Sequence, residues 1–154
     1  MLRGYPWLPL KQIALWGFLL NTLWEFGQCT VLYDMWDWGF WRATLWMWGA
    51  IAGDVLIVLG VALGAVLLVG ARRVSPPDRA GWAALFGVGF AASVGLEWAA
   101  QALELWGYSD LMPTLTVLGH TVGLSPVVQV TGLPALSVWL ATRRGAGGIA
   151  SREP

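Results

Sequence analysis

The sequence predicts an all-α, polytopic membrane protein built as a four-helix bundle, and three observations support this prediction. Of its 154 residues, 57% are hydrophobic and 12% are charged, about half the charged share of an average soluble domain. The charged residues divide the chain into four long stretches with one acid or none, and the basic residues gather at alternate ends of these stretches. This composition excludes a disordered chain, a nucleic-acid-binding protein and an ordinary soluble enzyme.

Three of the stretches hold one spanning helix each. Each stretch is longer than the roughly 20 mostly apolar residues that cross a bilayer. We therefore predict spans near residues 12–33, 43–70 and 80–104. One acid lies inside each span, and in chain order these acids are Glu25, Asp54 and Glu97.

The fourth stretch, which follows Asp110, carries three prolines and is too long for one straight helix. We expect a short interfacial segment at 111–122 and a fourth span at 125–142. Pro126 then lies in the first turn, where its missing N–H costs nothing. Pro134 kinks this helix midway, which membrane helices tolerate.

Basic residues near the ends of the spans predict the orientation, because cytoplasmic loops are enriched in Lys and Arg. With four spans, eight of the nine basic residues fall on one side and Arg42 alone on the other. We therefore expect both termini on the cytoplasmic side of a bacterial inner membrane. Residues 1–144 form one transmembrane domain, and the polar, glycine-rich residues 145–154 form a mobile tail.

Small residues recur at helical spacing and predict where the helices pack, since membrane helices approach closely through such faces. The second span has four glycines and the third has a similar row: Gly49, Gly53, Gly60 and Gly64, then Gly87, Ala91 and Gly95. We expect both faces to pack inside the bundle, with a homodimer through one of them as the alternative. The one cysteine, Cys29, excludes an internal disulfide and is expected to be a packing residue.

Polar residues inside the spans predict the functional site. Asn21, Glu25 and Gln28 share one face of the first span, and Glu97 shares a face of the third with Gln101. A charged side chain at the bilayer centre costs about 2.5–3.5 kcal/mol on insertion scales, so the three acids should converge inside the bundle. The candidate catalytic residues are therefore Glu25, Asp54 and Glu97.

The three acids have no Lys or Arg within the spans to neutralise them. Either they stay protonated, or they hold a cation. If that cation is a metal ion, its ligands would be the three acids together with His120, and the sequence identifies no particular cofactor. The alternative to a functional site is a purely structural role, in which the acids and amides form hydrogen bonds that hold the helices together.

Tryptophan is concentrated toward the outer boundary, more than an aromatic belt requires. We expect a large aromatic surface that faces a ligand or a partner subunit, with residues 106–113 closing over the pocket. The candidate ligand-binding residues are Asn21, Trp24, Gln28, Trp98, Gln101, Trp106, Tyr108 and Gln129.

Several short motifs carry a resemblance: Asn21-x-x-Trp24-Glu25-x-x-Gln28, Gly53-Asp54, Glu97-Trp98, Trp106-x-Tyr108, Met112-Pro113 and Gly123-Leu124-x-Pro126-x-x-Gln129. Over most of its length the chain resembles a family of small bacterial four-helix membrane proteins without an assigned activity. The stretch from Asn21 to Glu25 is also similar to one in membrane-bound terpene cyclases. That resemblance implies a protonating role for Glu25.

Three functions remain open at this stage. The first is a site for a lipid-soluble ligand such as an isoprenoid or a quinone, with Glu25 as general acid in an enzymatic form. The second is an accessory subunit of a larger membrane complex, which would suit the aromatic outer face. The third is a cation or proton pathway through Glu25, Asp54 and Glu97.

Overall fold

Four long helices account for most of the chain that the computed structural model describes, which is residues 8–33, 35 and 37–143. The elements are α1 (Leu10–Leu32), α2 (Phe40–Val69), the short α3 (Ala71–Val74), α4 (Arg79–Ala102), the strands β1 (Thr114–Val117) and β2 (His120–Gly123), and α5 (Leu124–Thr142). The long helices begin and end within three residues of the predicted spans. The predicted mobile tail 145–154 lies outside the described residues.

Local chemistry explains where the helices begin and end. The carboxylate of Asp78 accepts the Gly81 N–H at 2.8 Å and caps the start of α4. Gly70, with a φ of 86°, ends α2 and donates its N–H to the Val66 carbonyl. A positive φ at this position favours glycine because it has no Cβ. Pro126 lies in the first turn of α5, as predicted, and Pro134 lies inside that helix.

Three described helices, α2, α4 and α5, are long and apolar enough to cross a membrane. The exception among the four long helices is α1, which has 23 residues. Its row of polar side chains at Asn21, Glu25 and Gln28 lowers its mean hydropathy. The protein is therefore mostly helical, with three candidate membrane spans by length and composition.

The expectation of a purely α-helical fold is wrong between α4 and α5. The predicted interfacial segment 111–122 contains an antiparallel hairpin in which β1 pairs with β2. Its two-residue turn is Leu118–Gly119, with φ values of 50° and 84°, which is the backbone that tight hairpins need. Each strand contains threonine and valine, β-branched residues that favour extended backbone.

The packing face of α4 also differs from the prediction. Gly87, Ala91 and Gly95 are exposed, and a Cβ built on either glycine meets nothing within 4 Å. The buried face of α4 is offset from them around the helix, and its residues follow one another at intervals of four: Gly81, Leu85, Gly89, Ser93 and Glu97. The spacing therefore predicted correctly that small residues four positions apart lie on the packing face of α4, but it placed that face on the wrong side of the helix.

The four predicted packing glycines of α2 differ in their surroundings, and the prediction is wrong for Gly60, which is exposed with nothing within 4 Å of a built Cβ. A Cβ on Gly64 would lie 3.0 Å from the Val88 side chain, so this residue packs against α4 as expected. Gly49 and Gly53 have open space beside them and line a cavity. Toward one end of the helices lies an apolar core, whose buried members include Ile13, Val58 and Leu85. The polar residues and the cavity occupy the other end.

Candidate functional site

Amides and acids from three helices form one buried hydrogen-bonded network. On α1, Gln28 Nε2 donates to Glu25 Oε1 at 2.7 Å, as expected for side chains one turn apart. The same nitrogen donates to Gln129 Oε1 on α5 at 2.8 Å. Asn21, Glu25, Gln28 and Gln129 are all buried. The structure therefore brings together four of the residues that the sequence singled out.

Gln129 is the centre of this network. Its Nε2 lies 2.7 Å from Glu25 Oε1, 3.0 Å from Asn21 Oδ1 and 3.0 Å from Asp54 Oδ2. A primary amide carries two hydrogens, so three acceptors compete for two donors. Acidic residues on α1 and α2 thus share one amide on α5.

Three further donors, from α1 and from the first turn of α5, bind the remaining oxygens of Gln28 and Glu25. Trp24 Nε1 donates to Gln28 Oε1 at 2.9 Å, and Ser125 Oγ donates to the same oxygen at 2.6 Å. The Cys29 thiol donates to Glu25 Oε2 at 2.9 Å. Both carboxylate oxygens of Glu25 are therefore occupied by donors from the protein.

Glu97 lies in α4 and contacts the base of the hairpin. Its Oε2 accepts the Gly123 N–H at 3.2 Å, and the same N–H lies 3.1 Å from the Tyr108 hydroxyl. Glu97 is 2% exposed, yet this shared backbone N–H is its hydrogen-bond donor within the described residues. Most of its acceptor capacity is left for another group.

A cavity of about 790 Å³ joins the three acids. This volume lies within the usual range for small-molecule pockets. Its walls come from α1, α2, α4, α5, the loop after α1 and the loop after α4. The residues that line it are Glu25, Cys29, Tyr33, Met35, Trp38, Arg42, Leu45, Trp46, Gly49, Ala50, Gly53, Asp54, Ile57, Ser93, Leu96, Glu97, Trp106, Gly107, Pro126, Gln129 and Val130.

Comparisons with known proteins identify no relative of this chain. No protein-family model, no curated protein and no solved structure matches it. The chemistry of the cavity therefore has to be derived from its own residues.

Aromatic rings and one arginine form the wall farther from the network. The Arg42 guanidinium lies 3.8 Å from the centre of the Trp38 ring, and Trp46 meets the same ring edge-on at 5.7 Å. Trp106 packs edge-on against Tyr33 at 6.4 Å. The buried Trp106 N–H has no hydrogen-bond partner in the described structure. The wall thus offers ring faces and an unused donor.

Other candidate residues lie outside the cavity wall. The His120 ring packs against Trp98 at 5.1 Å, and Gln101 Nε2 donates to the Thr121 carbonyl on the hairpin. Asn21 and Trp24 belong to the network without lining the cavity, and Tyr108 supports the hairpin base. Within the described residues no group of three or more His, Cys, Asp or Glu side chains is arranged to hold a metal ion.

Several functional positions were not anticipated from the sequence. Cys29 was expected to be a packing residue, yet its thiol binds Glu25 and lines the cavity. Its position one turn after Glu25 was the available signal. Trp38 and Arg42 line the cavity but were not among the candidate site residues predicted from the sequence. Arg42 was recognised only as the basic residue on the outer side. Ser125 has no sequence signal of its own, because its role depends on where α5 meets α1.

Proposed function

We propose that this chain crosses the membrane four times, with both termini cytoplasmic and the cavity in the outer half of a bacterial inner membrane. The excess of basic residues at one end of the spans supports this orientation. The contacts of α1 with α2 and α5 support its inclusion as a fourth span, since its polar face is turned into the network.

The orientation predicts where reporter proteins will be active. Fusions after residue 75 and after the C-terminus should show cytoplasmic reporter activity, because both positions carry the basic side of the bundle. A fusion at residue 119, within the hairpin, should show periplasmic activity. The reverse pattern, or a cytoplasmic signal at all three sites, would contradict the proposed topology.

We further propose that the cavity binds a lipid-soluble ligand. The observation that carries this proposal is the enclosure of all three intramembrane acids, with Trp and Tyr rings, by one cavity. Apolar walls with a few converging polar groups are typical of ligand sites. The isoprenoid and quinone classes named above fit such walls, and the unused Trp106 N–H offers a donor to a ligand oxygen.

The ligand would enter from the lipid between α2 and α4. Leu45 is 70% exposed, and Leu96 on α4 is 40% exposed. Both line the cavity, so its wall continues into the lipid-facing surface. Gly49 and Gly53 leave open space along the intervening part of α2. This route avoids passage through the apolar core.

In an enzymatic form, Asp54 is the residue best placed to exchange a proton with the ligand. Glu25, the general acid that the terpene-cyclase resemblance implies, has both oxygens bound by protein donors. Asp54 is half-buried, its Oδ2 accepts from Gln129, and its carboxyl group also hydrogen-bonds with that of Glu25, while one side of it faces the cavity. We propose that Glu25 positions Gln129, and that Asp54 meets the substrate.

Filling the cavity tests the binding proposal. Gly53→Leu should abolish co-purification of lipid-soluble molecules, because a large side chain would occupy open cavity space without striking the protein. Mass spectrometry of organic extracts from purified protein measures the loss, and thermal unfolding checks the fold. Gly87→Leu is the matched control, since its side chain would point to the exterior. Equal ligand content in both variants would contradict the proposal.

A cation or proton pathway is the second candidate. Three carboxyl groups without a basic partner inside the bundle favour it. Flux of protons or metal ions into liposomes that is lost in Asp54→Asn and Glu97→Gln would support it. Association with a larger complex or with a second copy is a further proposal, which native mass measurement in mild detergent tests.

A further inference from the structure

We infer that the polar end of the ligand is a cationic amine, held by the cavity-facing carboxyl groups of Asp54 and Glu97. This inference rests on the proposed binding function and narrows it, since an amphiphilic amine differs from both an isoprenoid and a quinone. The ligand's chain would lie along the open part of α2, beside Gly49 and Gly53. Four features of the cavity lead to this class of ligand.

The first feature is a shortage of hydrogen-bond donors. Gln129 Nε2 has three acceptors within 3.0 Å and carries two hydrogens. Gln28 Nε2 already donates to Glu25 and to Gln129. The two amides therefore cannot satisfy every acceptor around them, and the hydrogen bond between the Asp54 and Glu25 carboxyl groups supplies one further donor. A ligand that brings donors would complete the network.

The second feature is Glu97, a buried carboxylate with unused acceptors. It is 2% exposed and lines the cavity. Its one backbone donor in the described structure, the Gly123 N–H, is shared with the Tyr108 hydroxyl. A hydrogen bond from a bound donor to the cavity-facing part of this carboxyl group would stabilise the complex. Glu97 is thus a polar group that the fold buries and leaves for a ligand.

The third feature is the position of the cavity's one basic residue within the described structure. Arg42 lies against the Trp38 ring at 3.8 Å. It precedes Asp54 by three turns or more of α2, which is roughly 18 Å along a helix at 1.5 Å per residue. Arg42 is therefore too far away to neutralise the acids. Within the described residues, the acids at the polar end therefore have no basic side chain of the cavity as a counter-ion.

The fourth feature is the set of aromatic faces around the acids. Tyr33, Trp46 and Trp106 line the same cavity as Asp54 and Glu97. Cations bind to the faces of aromatic rings, and Trp gives the strongest attraction. An ammonium group can use the carboxylates and these rings together. A neutral hydroxyl or carbonyl can use neither interaction at full strength.

Intrinsic tryptophan fluorescence of the full chain in nanodiscs tests the inference, because Trp38, Trp46 and Trp106 line the cavity. The probes are decyltrimethylammonium, decanol and decylubiquinone. We expect saturable binding of the ammonium probe at least about tenfold tighter than that of decanol, the ratio that one charge-assisted contact supplies. The Gly53→Leu protein provides the background from partition into the bilayer.

Variants that remove one acidic group at a time identify which carboxyl groups bind the ammonium probe. Asp54→Asn and Glu97→Gln should each weaken ammonium binding about tenfold, because one ionic partner is lost. Both variants keep the side-chain shape, and thermal unfolding verifies their fold. Asp110→Asn, an exposed acid outside the cavity, should leave the affinity unchanged.

The outcomes distinguish a failure of this inference from a failure of the proposal that the cavity binds a lipid-soluble ligand. Equal affinity for decanol and the ammonium probe would overturn the inference, because it would mean that the acids are neutral. Binding of decylubiquinone without the ammonium probe would overturn the inference and uphold the lipid-soluble ligand. Absence of saturable binding by all three probes would count against both.

Discussion

The substitution Gln129→Leu is expected to destabilise the protein by about 3 kcal/mol or more, since a buried hydrogen bond to a charged group contributes roughly 1.5–3 kcal/mol. Leucine has a similar volume but removes the donor that Glu25, Asn21 and Asp54 share. Glu25 and Asp54 would then lie side by side at the cavity wall with one hydrogen-bond donor fewer. Thermal and denaturant unfolding in detergent measure the loss.

A matched control shows whether the effect belongs to the network. Gln101→Leu makes the same chemical change at a half-buried position on α4, where the amide contacts one hairpin carbonyl. We expect a loss of about 1 kcal/mol there. Adding Glu25→Gln to Gln129→Leu should recover part of the lost stability, because a neutral amide is less costly to bury than a carboxylate. Equal stability of Gln129→Leu and the unmodified protein would refute the central role of Gln129.

The positions of the long helices could be predicted from the sequence because the bilayer limits where charge is tolerated. Gaps between charged residues gave helix bounds close to the observed ones, including α5 with Pro126 in its first turn. The hairpin was missed because its strands have four residues each, too few for a strong periodic signal. The β-branched Thr and Val residues on both sides of Leu118–Gly119 were the evidence available for it.

The composition of the site could be predicted, but its internal contacts could not. The cost of burying charge brings Glu25, Asp54 and Glu97 to one cavity, and helical spacing places Gln28 beside Glu25. Which side of α4 is buried depends on its fit against α5. That fit is set by the main-chain path of both helices. Sequence spacing alone does not distinguish whether Gly87 or Gly89 lies on the buried face of α4.

The fit between α4 and α5 depends on Gly89. A Cβ at this position would lie 2.8 Å from the Val130 carbonyl oxygen and 3.1 Å from the Thr131 Cα. Pro134 lies four residues after Val130 inside α5 and has no N–H to donate to that carbonyl. The proline thus frees a main-chain oxygen toward α4, and glycine lets α4 approach it. Two features that each weaken an isolated helix therefore combine into one close contact.

The second large effect is accordingly expected from Gly89→Val, which should cost about 3 kcal/mol, the upper part of the usual range for overpacking. Main-chain atoms of α5 cannot move aside without shifting Gln129, one residue before Val130. Gly95→Val is the matched control, with the same β-branched residue in the same helix and no atom within 4 Å of its Cβ. Unfolding in detergent compares the two variants. Gly89→Val should also weaken ligand binding, because separation of α4 from α5 moves Glu97 away from Gln129. If both variants unfold alike, the loss reflects helix propensity and the close contact contributes nothing.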